Sequence, residues 1–334
     1  MTFWHFYRPQ LDGFVLLSSI GPRMEVQAMM WRGRPIRPVK LIPDVPLRLP
    51  EIRARQITED DLEAVVNLLT RGFELRSRRY WQRAMTKLKS HPSPGGFPSF
   101  GHLLECDGTL VGVILQIFSA VPTTNGWQTR CNLSSWYIEP EFRIYASMLI
   151  SQAIKYRNVT YVNISPAKHT WPIVEAQGFS RYSNGQFVCV PALNMTCADS
   201  GAQVIAVDAA PDLHCDSSER ELLLIHKTLG CLSLWCKTSS GAHPFAFMPR
   251  LVKGVMPCTQ LIYCRDIQDF VQFAWPIGRY LTARGRPLVI IDSNGPIPGL
   301  VGKYFNNKAP KYFKGPDPPG FGDLAYTEAV MFGL

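Results

Sequence analysis

Residues 136–155 contain a polar, basic turn at a place where backbone chemistry could bind an anion. The stretch is typical of a strand end, a tight turn after Pro140 and then a helix. This arrangement points the N–H groups of a helix start, with their partial positive charge, at a bound phosphate. The turn lacks the glycines that allow a backbone to approach a phosphate closely. The sequence therefore predicts either a working anion site at residues 143–147 or a turn that has lost its ligand.

The nine cysteines do not predict a metal site. No CxxC pair is present, whereas zinc sites use tightly spaced cysteines or added histidines. Scattered cysteines in an odd number are typical of reduced thiols in a cytoplasmic protein. The longest apolar runs, such as residues 14–20, are too short to cross a bilayer. We therefore expect a cytoplasmic protein with no metal and no membrane partner.

The net charge of +9 is concentrated in basic runs at residues 1–50, 74–89 and 303–314. Such runs can bind nucleic acid or an anionic cofactor, although they are more often solvated faces. They are not interleaved with aromatic residues on a strand platform, and no nucleic-acid-binding motif accompanies them. We therefore do not expect a nucleic-acid partner.

The elements that position the turn follow from hydrophobic periodicity. Residues 102–118 read as a hairpin around Asp107-Gly108, and residues 131–138 and 159–164 read as strands joined by a helix. The order is strand, helix, helix, hairpin, strand, helix, strand, helix, strand. It predicts an α/β (α+β) fold in which a mixed central sheet is flanked by helices.

The chain divides by composition into three segments. Residues 1–49 are rich in proline and predict an irregular basic arm. Residues 50–195 form a first domain. Residues 200–334 repeat its order of strands and helices, although the amino-acid sequence itself is not repeated. A helix in this second half begins at Asp266, and the Gly-, Pro- and Lys-rich stretch after residue 293 reads as a loop that covers a cleft or stays solvated.

Three motifs occur in a specific order: ECDGTLVGVI at 105–114, WYIEPEFR at 136–143 and EAQGF at 175–179. Over about residues 50–193 the sequence resembles the GCN5-related N-acetyltransferase (GNAT) superfamily. The resemblance implies a GNAT-like acyltransferase fold, in tandem with a degenerate second copy. It also implies acetyl-CoA or another acyl-CoA as co-substrate, and direct acyl transfer to the amine of a small molecule or protein.

The same resemblance implies where the acyl-CoA would lie. Strands 131–138 and 159–164 would splay apart, and the pantetheine would pair with the open edge of the first. A main-chain N–H near Ile138 would face the thioester oxygen, and the diphosphate would rest on the amides of residues 143–147. The implied cofactor-binding residues are Tyr137, Ile138, Arg143, Ile144, Tyr145, Ala146 and Ser147. Ala146 and Met148 stand where the family has small residues, and we expect Met148 to point into the core.

The family's general-acid tyrosine has no counterpart, because its position is Val174. Ser165, His169 and Tyr182 are candidate substitutes, and the histidine has the pKa range suited to proton transfer. Candidate general bases are Glu105 and Glu139. The apolar neighbour Leu104 could raise the pKa of Glu105, but a charge on the solvent side of the hairpin is the more common arrangement. Ser135, next to Trp136, is placed to line an acceptor pocket. The predicted catalytic residues are Glu105, Ser135 and His169.

A second function remains open at this stage, namely an inactive GNAT-fold binding or regulatory scaffold. An acyltransferase predicts an open concavity at residues 143–147 that continues between the two central strands. A scaffold predicts that Tyr145 or Met148 plugs that groove. In the second half Asp266 stands where the diphosphate turn would be, and a carboxylate there repels phosphate. The acceptor, the acyl chain length and the oligomeric state are left open.

Overall fold

The structure is a computed structural model that describes residues 30–31, 34–35, 50–123, 126–194, 201–209, 213–252 and 254–333. Two compact units are present, Met1–Leu49 and Pro50–Leu334. In the first unit β1 (Met30–Trp31) pairs antiparallel with β2 (Arg34–Pro35). The rest of the predicted basic arm lies outside the described residues.

The second unit is built on one mixed sheet of twelve strands. In chain order these are β3 (Ile52–Gln56), β4 (Gly101–Cys106), β5 (Thr109–Thr123), β6 (Gly126–Ile138), β7 (Val159–Asn163), β8 (Ser180–Cys189), β9 (Gln203–Ala206), β10 (Leu232–Lys237), β11 (Ala242–Val252), β12 (Met256–Cys264), β13 (Leu288–Ser293) and β14 (Gly302–Lys314). Across the sheet the order is β3-β4-β5-β6-β7-β14-β8-β13-β12-β11-β10-β9.

The two halves of this sheet have the same pairing pattern. From β3 to β6 every neighbour is antiparallel, and β6 then pairs parallel with β7. From β9 to β12 every neighbour is antiparallel, and β12 then pairs parallel with β13. In the middle, β14 pairs with β7 and β8 pairs with β13, so each half receives a strand from the other. The predicted boundary at residues 195–200 falls between β8 and β9. The tandem-domain interpretation stays a prediction.

Seven α-helices cover the two sides of the sheet in the described part of the second unit. They are α1 (Leu62–Gly72), α2 (Arg78–Ser90), α3 (Ala146–Ala153), α4 (Trp171–Ala176), α5 (Ser217–Thr228), α6 (Ile267–Gln272) and α7 (Ala274–Thr282). None of the described helices is long and apolar enough to cross a membrane.

Alternation along β5 separates the helices of the first half onto opposite sides. Val113, Leu115 and Ile117 pack with α1 and α2, on what we call the α1/α2 face. Ile114 and Phe118 pack with α3 and α4, on the α3 face. Because successive strand residues point to opposite sides, a ligand on either face meets a different set of side chains.

The predicted mixed α/β fold is confirmed, and the hairpin turns at Asp107-Gly108, both with positive φ. Two predictions for the second half were wrong, and one strand was missed. The stretch expected to be a loop is β14, a strand in the middle of the sheet. The helix after Asp266 is two helices, α6 and α7. A further strand, β11, was missed because its sequence contains Pro244 and Pro249, and proline usually argues against a strand.

Candidate active site

A gap opens in the sheet where β6 and β7 stop pairing. The parallel register runs from Thr129 opposite Val159 to Asn132 opposite Val162 and then ends. Beyond it β6 continues to Ile138, so its edge faces a cleft of about 440 Å³. Residues of both faces line this cleft, among them Trp81 from α2 and Ile150 from α3. Two molecules could therefore meet in the gap from opposite sides of the sheet.

A β-bulge shapes the wall that β6 presents to the cleft. The pairing with β5 passes from Leu115 opposite Ser134 directly to Val113 opposite Tyr137, so Ser135 and Trp136 together face one residue. Ser135 has a positive φ of 53°. The extra residue moves Tyr137 to the α1/α2 face, where it packs near Phe73, and keeps Trp136 on the α3 face. Bulges commonly re-aim side chains beside functional sites in this way.

A carboxylate from the far C-terminal part of the chain enters the cleft. Glu328 is 5% exposed, and its two side-chain oxygens accept hydrogen bonds from the hydroxyls of Ser134 and Ser165. Its backbone N–H donates to Asn132 Oδ1 at 2.6 Å, at the point where β6 and β7 part. The two sides of the gap are thus tied together through Glu328.

Burial raises the pKa of the Glu328 carboxyl above its ordinary range. The hydrogen bonds from Ser134 and Ser165 and the positive charges of Lys311 and Arg76 act in the opposite direction without cancelling the effect of burial. A carboxylate with a raised pKa is a better proton acceptor near neutral pH than an exposed one. Sequence reasoning missed Glu328, whose one signal was an acid directly before the apolar run 329–332.

The segment that carries Glu328 is held by contacts along its whole length. Leu324 N–H donates to Ile262 O at 2.7 Å, and Asp323 accepts two hydrogen bonds from Arg130, at 2.7 and 2.8 Å. Tyr326 N–H donates to His226 Nε2 at 3.1 Å. Burial lowers the pKa of His226 to about 4, so the ring is neutral and keeps this acceptor at neutral pH.

The predicted anion turn is a 3₁₀-helix, Pro140–Tyr145, that runs directly into α3. The N–H groups of Phe142 and Ala146 donate to carbonyls of the turn itself, Glu139 O and Arg143 O. The backbone here is therefore less open than a glycine-rich cradle. The Arg143 side chain lines the cleft.

The two residues that the scaffold hypothesis expected to block the groove do not line the cleft. Met148 is 38% exposed rather than directed into the core, so that prediction was wrong. Tyr145 packs partly against the apolar cluster of the α3 face, and Ile144 is 79% exposed. Neither Tyr145 nor Met148 lines the cleft.

The structure separates the three predicted catalytic residues. Ser135 and His169 both line the cleft, and the Ser135 hydroxyl lies 2.9 Å from that of Ser134. Glu105 lies on β4 outside the cleft lining and pairs with Arg53 and Arg55. Burial acts to raise the pKa of Glu105, but the hydrogen bonds from the two arginines outweigh it and the pKa is lowered. Of the two alternatives for Glu105, neither the raised pKa nor the solvent-exposed position is found, since the side chain is buried and its pKa is lowered.

The other candidates for proton transfer also differ in position. Glu139 pairs with Arg71 and accepts a hydrogen bond from Tyr137 at 2.9 Å. Tyr182 is buried away from the cleft, and burial raises the pKa of its hydroxyl well above the ordinary value. Ser165 is in the cleft but bonded to Glu328.

In the second half, the chain itself covers the corresponding strand edge. The parallel pairing of β12 with β13 covers only Cys258–Gln260 of β12. Beyond it, Cys264 N–H donates to Gly322 O at 3.1 Å, and Ile262 O accepts from Leu324. Asp266 caps α6 by accepting from Gln268 N–H at 2.7 Å. The edge that is free in the first half is thus occupied here by the segment leading to Glu328.

Solved structures share this architecture. A GCN5-related N-acetyltransferase from Anabaena variabilis superposes with a TM-score of 0.51 at 10% identity, covering 79% of this chain and 72% of that one. A conserved Enterococcus faecalis protein of unknown function gives 0.50 at 12% identity, with the same coverage. The chain has the GNAT fold. No family model and no curated protein matches the sequence. The identities are too low to transfer a substrate or a residue role.

Proposed function

We propose that this GNAT-fold protein is an acyl-CoA-dependent N-acyltransferase, with acetyl-CoA as the simplest donor and an amine as acceptor. The observation that carries the proposal is the buried Glu328 carboxylate, held in a gap that residues of both faces of the sheet line. Burying a carboxylate costs free energy, and buried carboxylates with a perturbed pKa that line a cleft are commonly functional.

The cleft fits the extended arm of an acyl-CoA. Past Asn132 the edge of β6 is not paired with β7, and main-chain groups there can pair with an extended amide-containing ligand. Tyr137 and Ile138 end this edge. Arg143 lines the cleft next to them, where its charge would favour a diphosphate. Because Ala146 N–H is used within the turn, we assign more of the phosphate binding to Arg143 than to the amides of residues 144–147.

Acyl-CoA would supply an acyl group activated as a thioester. Glu328 would take the proton that the amine loses as its nitrogen bonds to the acyl carbon and the C–S bond breaks, and the released thiolate would gain a proton from His169 or from water. Main-chain N–H groups of β6 at the bulge would stabilise the negative charge on the carbonyl oxygen. His169, exposed at the cleft, stays a predicted proton donor to the thiol.

Calorimetric titration with acetyl-CoA tests this proposal. Wild-type protein should bind, Ala167→Trp should fill the cleft and abolish binding, and Arg143→Glu should weaken it by like-charge repulsion. Ala283→Trp and Arg157→Glu are matched controls, since both residues are exposed and neither lines the cleft. Equal binding by wild type and Ala167→Trp would show that the site is elsewhere.

The inactive scaffold remains the second candidate, because two N–H groups of the turn are already bonded within it. It predicts no binding by wild-type protein at millimolar acetyl-CoA or longer acyl-CoAs. Binding of acetyl-CoA with release of free thiol in the presence of an amine would exclude it.

A further inference from the structure

An arginine, Arg76, stands in the α1/α2 wall of the cleft. Arg76 lies in the short connection between α1 and α2 and is half-buried. Its guanidinium carbon lies 4.6 Å from the ring centre of Tyr80, which also lines the cleft. Within the described part of the chain no ion pair involves Arg76, although other arginines near it, such as Arg71 and Arg78, have acidic partners. A half-buried arginine facing a cleft is suited to an anionic ligand group.

Two arginines and one carboxylate, Arg76, Arg250 and Glu328, set the charge on this side of the cleft. Arg250 of β11 interacts unfavourably with Arg76 and donates to Gln260 Oε1 at 3.2 Å. The Glu328 carboxylate attracts Arg76 electrostatically, but its two oxygens accept hydrogen bonds from two serine hydroxyls. Because Arg250 repels Arg76 and Glu328 attracts it without forming an ion pair in the described part of the chain, a ligand anion beside Arg76 would be stabilised.

The rest of this wall is aromatic. Phe73, Tyr80, Trp81 and Tyr137 line the cleft, with ring centres of Phe73 and Trp81 5.3 Å apart and those of Tyr80 and Trp81 4.9 Å apart. Rigid aromatic walls bind apolar bodies, while a few polar groups fix orientation. The wall lies on the same face as Met331, three residues after Glu328.

From this arrangement we infer that the acceptor is a small amine that also carries a carboxylate, an apolar α-amino acid being the simplest case. Arg76 holds the carboxylate, the aromatic wall holds the apolar body, and the amine lies toward Glu328. This inference rests on the proposed acyltransferase function and adds the class of acceptor to it.

The test compares ligands that differ only in the carboxylate. L-phenylalanine and L-phenylalaninamide are offered as acceptors with acetyl-CoA, and their N-acetyl products are titrated by calorimetry. Wild-type protein should prefer the acid and its product about 10- to 100-fold, the range expected for a charge-assisted hydrogen bond. Arg76→Gln should remove the preference. Arg79→Gln, exposed on α2 and outside the cleft lining, should keep it.

The outcomes separate this inference from the proposed function. If acetyl-CoA binds and amines are acetylated without regard to a carboxylate, or O-phosphoethanolamine is strongly preferred, the acceptor inference is wrong and the acyltransferase stands. If acetyl-CoA does not bind but N-acetyl-phenylalanine does, in an Arg76-dependent way, the carboxylate site stands and the acyltransferase fails. Binding of neither product at millimolar concentration overturns the inference.

Discussion

Glu328 lines the cleft, and its two carboxylate oxygens accept hydrogen bonds from Ser134 and Ser165. If it is the general base, Glu328→Gln should lower kcat/KM by about 10²- to 10⁴-fold, the usual worth of general-base catalysis. The affinity for acetyl-CoA should change little, because the amide keeps the size of the side chain. Steady-state thiol release and calorimetry measure the two quantities.

Glu141→Gln is the matched control for that experiment, since Glu141 is exposed on the turn before α3 and does not line the cleft. Its kcat/KM should equal that of wild type. Full activity in Glu328→Gln would remove Glu328 from the chemistry and leave it a structural role only.

The raised pKa of Glu328 also has a consequence for stability. A carboxyl whose pKa is higher in the folded than in the unfolded protein favours folding in its protonated form. Its contribution is fully present below the unfolded pKa and is lost as pH rises through the folded pKa. Glu328→Gln should therefore be more stable than wild type at pH 8, and the advantage should shrink toward pH 4. Urea unfolding at the two pH values measures this, and an advantage that grows at low pH would contradict it.

At the scale of elements, the segment that carries Glu328 depends on a glycine where it pairs with β12. Gly322 has a positive φ of 79°, and an added Cβ would lie 2.8 Å from Cys264 Sγ and 2.9 Å from Leu261 Cδ2. Gly322→Ala should destabilise the fold by about 1–3 kcal/mol, the usual cost of a non-glycine residue in the left-handed region. It should also lower kcat more than it weakens acetyl-CoA binding, because Glu328 is displaced.

Gly320→Ala is the control two residues away, since an added Cβ there meets no atom within 4 Å. Thermal unfolding and kinetics of both variants would decide the matter. Equal behaviour of Gly320→Ala and Gly322→Ala would mean that the pairing of this segment with β12 does not position Glu328.

The elements differ in how far sequence could predict them. The β4–β5 hairpin and the succession β6, turn, α3 and β7 follow from local signals, namely Asp107-Gly108, Pro140 and apolar periodicity. The strand β14 could not be found locally, because its exposed end is rich in Lys and Asn and its buried part, which begins with a proline, is fixed by pairing with β7 and β8. Glu328 was missed for the same reason, since its partners Ser134 and Ser165 are more than 160 residues away.

At the scale of the whole molecule, β8 and β14 make the two halves depend on each other. β14 of the second half lies between β7 and β8 of the first, and Tyr312 on it is completely buried. Without β14 the first half would leave two strand edges unpaired and open a cavity in its core. Residues 50–200 alone should therefore fail to fold cooperatively, and so should residues 201–334.

Expressed together, the two fragments should form one complex that unfolds in a single transition, because the cut falls between β8 and β9 and removes no strand. Circular dichroism and size-exclusion chromatography of the fragments, alone and together, measure this. The complex should also bind acetyl-CoA with a stoichiometry near one, since residues 322–324 occupy the edge of β12, whereas past Asn132 the edge of β6 pairs with no described strand. A folded fragment 50–200 that binds acetyl-CoA by itself would show that the halves are independent domains. In that case the strand exchange would be a contact between them and not a requirement for either.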